Sequence, residues 1–192
     1  MSKKSKVLII IGVFLIVLSC LFLINSQLIN QKSQTNSAEI IATLNEIIPE
    51  RFSGMPDDFS SMEMPVVEIK NEDIVAILEI QRFGLELPVG NEWDSKNTKF
   101  FPRRFVGSVY DNSLVIGGSD RPNQFDCMDK IQIGEDVKVT DITGAQFCYE
   151  VSNIFRSKSA DSETLTKDDS DLTLWVKDEF SLDYIIVCCT IK

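Results

Sequence analysis

Eighteen consecutive residues near the start of the chain, Val7–Ile24 (VLIIIGVFLIVLSCLFLI), carry no charge. As a helix this run spans roughly 27 Å, close to the hydrocarbon core of a bilayer. It therefore predicts one N-terminal transmembrane helix. Lys3, Lys4 and Lys6 precede it, and no basic residue follows it directly. That asymmetry puts the N-terminus in the cytoplasm and the body outside the cell membrane. A cleaved signal peptide is the alternative, but no small-x-small site follows the run, so an uncleaved anchor is expected. A lipid-bearing Cys20 is disfavoured because Leu21, Phe22, Leu23 and Ile24 continue the apolar stretch.

Beyond the anchor the chain is acidic. The net charge is −10, and the first 25 residues hold three lysines and no acid. Nucleic acid, whose phosphates need lysine and arginine to neutralise them, is excluded as a partner. There is no histidine. Ser-His-Asp and Cys-His catalysis and histidine-ligated metal sites go with it. The five cysteines, Cys20, Cys127, Cys148, Cys188 and Cys189, match no metal spacing and no disulfide framework. No cofactor or metal is implied.

Residues 1–25 form the basic cap and anchor. Residues 26–65 read as an extracellular tether holding a short helix. Asn25–Ser37 is polar and of low complexity. Ser37 can cap a helix over Ala38–Ile48, with Ile40, Ile41, Leu44, Ile47 and Ile48 on one side and Pro49 closing it. Residues 50–65 hold Gly, Pro and Ser and read as a linker.

From residue 66 the period changes to that of strands. Val75–Ile80, Leu85–Val89, Phe105–Gly107, Leu114–Ile116, Val137–Asp141 and Gln146–Phe155 are short apolar runs separated by turn residues. Gln124–Ile131 has room for one or two helical turns, and Asp161–Asp171 is an acidic loop. The chain closes on a hairpin. Leu172, Leu174 and Val176 alternate with Thr173, Trp175 and Lys177, and Tyr184–Ile191 returns beside them. About eight short strands with little helix predict an all-β fold, a sandwich or a closed barrel over residues 66–192.

The order of these segments carries a resemblance. IVAILEIQRFGLELPVGNEW (74–93), FFPRRFVGSVYDNSLVIGGSD (100–120), FDCMDKIQIGEDVKVTDITGAQFCYEVSNI (125–154) and DLTLWVKDEFSLDYIIVCC (171–189) resemble, in order and spacing, the segments of sortases. Sortases are the membrane-anchored cysteine transpeptidases of Gram-positive surfaces. The resemblance implies an eight-stranded sortase-like β-barrel with short helices behind the N-terminal transmembrane helix.

Carried over residue by residue, the catalytic positions are changed. Ser119 stands where the family has histidine, Lys177 where it has the nucleophilic cysteine, and Asp183 where it has arginine. The family reaction needs a thiolate to attack a carbonyl, an acid for the leaving amine and a cation for the oxyanion. An ammonium at Lys177 and a carboxylate at Asp183 supply none of these. The resemblance thus implies a non-catalytic relative, one that binds sorting-signal peptides or surface and pilin proteins, or assembles with an intact sortase. The alternative is an enzyme with another nucleophile: Ser119 activated by Lys177, or one of Cys188 and Cys189. Small apolar packing is the expected role of the two cysteines, since neighbours on a strand face opposite ways.

Three further expectations concern charges. Lys177 and Asp183 are expected to pair across the mouth of the terminal hairpin. Asp111, Asp120, Asp126 and Asp129 are expected to be a solvated acidic surface rather than a Ca²⁺ site. Arg103, Arg104 and Arg121 are expected at the surface, with Arg121 close enough to Ser119 to line the cleft.

Overall fold

A computed structural model describes residues 3–48, 50–53, 63–166 and 170–192. Pro49, most of the expected linker at 50–65 and residues 167–169 of the acidic loop lie outside these.

The N-terminal helix, α1, is one element from Lys3 to Ile47. Residues 25–37, expected as a tether, are helical instead. They contain neither Gly nor Pro to stop the helix. The body also supplies tertiary contacts that low-complexity polar sequence does not reveal. Ser33 and Ser37 hydroxyls donate to the Phe100 carbonyl at 2.6 and 3.1 Å. Arg121 Nη1 donates to Asn30 Oδ1 at 3.0 Å, and the Lys32 ammonium lies 5.7 Å from the centre of the Phe100 ring. The last turns bury Ile40, Ile41 and Leu44, with Ile48 just beyond them, against Ile69, Ile74, Ile77 and Phe101. Ile47, expected on that face, is exposed. The first part of α1 is long and apolar enough to cross a membrane, with mean hydropathy 2.3 and no burial in its apolar window.

Ten strands follow. They are β1 (Phe52–Ser53), β2 (Val67–Ile69), β3 (Glu72–Ile80), β4 (Leu85–Gly90), β5 (Arg103–Val106), β6 (Leu114–Ser119), β7 (Asp136–Asp141), β8 (Ala145–Ser157), β9 (Leu172–Lys177) and β10 (Tyr184–Ile191). Neighbours run β8-β10-β9-β6-β5-β4-β3, and β7 joins β3 to β8. That closes an eight-stranded barrel, with β1 and β2 as additions on β8 and β3. Closure removes the unpaired edges that an open sheet of this size would expose. A short helix, α2 (Ser162–Leu165), interrupts the acidic loop. Residues 124–131 form a chain of tight turns rather than a helix, closed by bonds such as Met128 N to Phe125 O at 3.2 Å.

The period-2 pattern sorts side chains into two layers. Leu172, Leu174 and Val176 of β9, Leu114 and Ile116 of β6, and Ile185, Val187 and Cys189 of β10 fill the barrel with Val137, Val139, Phe147 and Tyr149. The alternate residues, Val115, Trp175, Ile186 and Cys188, form a second cluster on the outer face together with Leu165 of α2.

Two of the arginines are not surface charges. Arg103 is buried, pairs with Glu72 and stacks 4.9 Å over the Phe101 ring. Arg104 donates from Nε to the Asn91 carbonyl at 3.1 Å. Both follow from the parallel contact of β5 with β4, where Gly90 faces Arg103 and leaves room for its side chain.

Candidate functional site

The outer face of β6, β9 and β10 carries the residues that the sequence singles out. β6 and β9 are parallel, and their register sets Gly117 beside Trp175 and Ser119 beside Lys177. The expected meeting of Ser119 and Lys177 is therefore present at the ends of two adjacent strands. They border a cleft of about 280 Å³ together with Trp93, Ser95, Thr98, Asp120, Trp175, Glu179 and Tyr184.

Ser119 is half-buried, and its main chain is well held. Its N–H donates to Gln124 Oε1 at 2.8 Å, and its carbonyl accepts from Arg121 N and Phe125 N. Gln124 is itself buried and donates from Nε2 to the Thr98 carbonyl at 3.1 Å, clamping the Trp93–Phe101 loop to the same corner. Arg121 does not line the cleft; it reaches away to α1.

The expected Lys177–Asp183 pair is absent. Asp183 Oδ1 takes the ammonium of Lys158 at 2.5 Å. The residue opposite Lys177 on β10 is Tyr184, and Lys177 Nζ lies 5.8 Å from the centre of its ring. The reason is the pleat: Asp183 precedes Tyr184 by one residue, so its side chain leaves on the other face. Lys177 is exposed and meets no carboxylate among the described residues.

The two cysteines lie far from this corner. Cys188 pairs with Thr173 and Cys189 with Leu172, four and five positions along β9 from Lys177. At strand rise that is about 13–17 Å. Cys188 packs in the outer cluster and Cys189 inside the barrel, both buried. Burial pushes the Cys189 thiol well above its ordinary pKa, and it pushes Cys127 up to about 12. Neither is poised as a thiolate.

Aromatic rings occupy the rest of the face. Trp93 and Trp175 lie 4.8 Å apart, and Phe105 and Tyr184 flank Trp175 edge-on at 5.8 and 5.7 Å. Each such pair adds about 0.5–1.5 kcal/mol beyond simple burial. The Gly117-Gly118 dipeptide makes this possible. A Cβ on Gly117 would come within 2.4 Å of Trp93 and 2.7 Å of Trp175, and one on Gly118 within 2.4 Å of Phe125 in the barrel. Trp93 also borders a larger hollow of about 470 Å³ with Asn91, Arg104, Phe105 and Asp111. The two concavities, a groove in two parts, share that indole.

The loop after Lys177 is tightly built. Asp178 Oδ1 accepts the N–H groups of Phe180 and Ser181 at 2.8 and 3.1 Å, and Oδ2 accepts Arg156 Nη1 at 2.7 Å. The Arg156 guanidinium, followed by those N–H groups, holds the Asp178 carboxyl far below the usual range. Of the four acids expected at the surface, Asp111 accepts from Ser108 N–H and Asp120 from Glu179 N–H, both at 3.2 Å. Asp126 and Asp129 border a separate hollow beside Phe125 and Phe180.

No protein-family model matches the chain, and no curated protein sequence matches it. Solved structures do match. A Clostridium perfringens sortase D5 transpeptidase aligns over 65% of this chain and 82% of its own, with TM-score 0.53 and 24% identity. Sortase A from Corynebacterium diphtheriae aligns over 87% and 84%, with TM-score 0.56 and 13% identity. The chain has a sortase fold. Sortase C1 of Streptococcus agalactiae is similar too, over 65% of this chain and 71% of its own, with TM-score 0.54 and 18% identity.

Sequence reasoning found the Ser119–Lys177 corner of this sortase fold and missed its lining. Gln124, Phe105 and Leu165 gave no signal. Trp175 did, because it lies two residues from Lys177 on β9 and so shares its face.

Proposed function

We propose that the protein is a membrane-anchored sortase relative that holds an extended peptide without cutting it. The observation that carries this reading is the register of β6 and β9, which sets Ser119 beside Lys177 with no thiol at that corner. Lys177 is exposed to water and makes no ion pair among the described residues. An ammonium neither attacks a carbonyl nor takes a proton from Ser119. Cys188 and Cys189 lie at the far end of the hairpin and are buried. Acyl transfer through either alternative would need a rearranged strand.

The groove retains features that suit an occupant. Trp93, Phe105, Trp175 and Tyr184 line it among many polar groups, Asn91, Arg104, Ser119 and Lys177 included, which can bond an extended backbone. Sorting-signal peptides, surface or pilin proteins, and an intact sortase working beside this chain are the partners we assign. The helix Val7–Ile24 would hold the body at the outer surface of the cell membrane with the lysine cap in the cytoplasm.

The test uses the full chain in lipid nanodiscs and synthetic sorting-signal peptides. Tryptophan emission should shift on titration, because Trp93 borders both halves of the groove. Chromatography of the same samples should recover the peptide intact. Emission unchanged at millimolar peptide, or a cut peptide, would contradict the reading.

A further inference from the structure

The hairpin loop between β9 and β10, residues 178–183, presents two large apolar side chains to solvent. Phe180 is 98% exposed and Leu182 is 65% exposed. The loop is not slack. Asp178 binds the Phe180 and Ser181 N–H groups, Leu182 N–H donates to the Asp178 carbonyl at 3.0 Å, and Asp178 N–H donates to the Asp183 carbonyl at 2.9 Å. Leu182 holds φ at +62°. That left-handed backbone suits Gly or Asn, and leucine there is strained. The loop thus spends fixed hydrogen bonds and backbone strain on holding two apolar residues mostly out of the barrel's own core.

The loop's place explains what they meet. Glu179 N–H donates to Asp120 Oδ2, and the next residue, Arg121, donates to Asn30 on α1. Asn30 is six residues past Ile24, the end of the uncharged run. On a continuous helix that is a rise of about 9 Å. Between them Leu28 is also exposed. The corner of the barrel bearing the loop is therefore the corner bonded to the helix just where it leaves the apolar span. Interfacial zones of a bilayer extend roughly 5–8 Å beyond the hydrocarbon core on each side and accept aromatic and leucine side chains.

We propose that Phe180 and Leu182 seat in the lipid interface of the same bilayer that α1 spans, fixing the barrel with its Ser119–Lys177 corner toward the membrane. The occupant is lipid, and zwitterionic rather than anionic, because Asp178 and Asp183 are already paired with Arg156 and Lys158, and Asp120, Asp126, Asp129 and Glu179 outnumber the remaining bases, Lys130 and Lys177, around the loop. The orientation restricts the groove to partners that arrive along the membrane surface. This rests on the reading of Val7–Ile24 as a membrane span.

The experiment uses the full chain with Cys20→Ser and Cys148→Ser, which removes the two exposed cysteines. Single spin labels are placed through Phe180→Cys, Leu182→Cys, Ile133→Cys and Leu15→Cys, in phosphatidylcholine nanodiscs with one copy each. Collisions with oxygen and with a water-soluble nickel chelate report depth. Labels at 180 and 182 should show an oxygen-to-nickel ratio several-fold above that at 133. A ratio equal to that at 133, with Leu15 deep in lipid, overturns the loop's seating alone. Leu15 in water overturns the span and the seating together. Spin–spin broadening at 180 in preparations with two copies per disc, together with an aqueous ratio at one copy, assigns the loop to self-association and overturns the lipid proposal.

Discussion

The glycine pair on β6 offers a direct test of how the outer face is packed. Gly117→Ala adds one methyl on the cleft side. Its Cβ would lie 2.4 Å from Trp93 Cζ3 and 2.7 Å from Trp175 Cε2. Carbon atoms pack best at about 3.5–4.0 Å, so both contacts are at least about 0.8 Å too close. Trp175 is hemmed in by Val115, Leu165 and Ile186, whereas Trp93 sits half-buried on a loop and can yield. Overpacking of this kind costs about 1–3 kcal/mol. Chemical unfolding of the full chain in detergent, followed by near-ultraviolet circular dichroism, measures the loss. Trp93→Ala removes the nearer obstacle, so the cost of Gly117→Ala should fall by at least half in that background. Gly118→Ala meets Phe125 on the barrel side and should cost the same amount with or without Trp93. A Gly117→Ala cost below about 0.5 kcal/mol, or one unchanged by Trp93→Ala, would refute the packing described for this face.

Two further outcomes follow from the charges. A double-mutant cycle on Lys158→Ala and Asp183→Asn should give a coupling below about 1 kcal/mol, as for other exposed pairs, while the Lys177→Met and Asp183→Asn cycle should give none. A measurable Lys177–Asp183 coupling would restore the pair that the strand register rules out. Asp178 has a depressed folded-state pKa, so its contribution is present above the ordinary carboxylate range and is lost only as pH falls through the folded value. Hydrogen exchange at Phe180 and Ser181, corrected for intrinsic rate, should therefore stay slow from pH 7 down to about 4, the ordinary aspartate value. Loss of protection near pH 6 would contradict the Asp178 turn.

Much of this molecule is written in local periodicity. The alternation of Leu172, Leu174 and Val176 with Thr173, Trp175 and Lys177 marks two faces of one strand, and the structure puts the first three inside the barrel and Trp175 and Lys177 at the cleft. The uncharged run Val7–Ile24 announced the apolar helix, which is exposed from Ile10 to Ile24 apart from the half-buried Gly12. What the sequence left unread depends on distant partners. Residues 25–37 are polar and lack a repeating apolar face, so nothing local announces the bonds from Ser33 and Ser37 to Phe100 that extend the helix along the body. Arg103 looks like one of two surface arginines until Glu72, 31 residues away, and the Phe101 ring enclose it. Lys177 and Asp183 sit six residues apart in a hairpin, a spacing that suggests contact. The pairing of Lys177 with Tyr184, one residue beyond, turns Asp183 to the other side.

We propose that this sortase fold carries no acyl-transfer chemistry at the Ser119–Lys177 corner. Intact-protein mass spectrometry of the full chain, after prolonged incubation with a sorting-signal peptide and an amine acceptor, tests it most directly. The expected result is an unmodified protein mass and no new amide product, before and after alkylation of the cysteines. A peptide acyl adduct mapped to Ser119, or to Cys188 or Cys189, with turnover lost when that residue is replaced, would contradict the account.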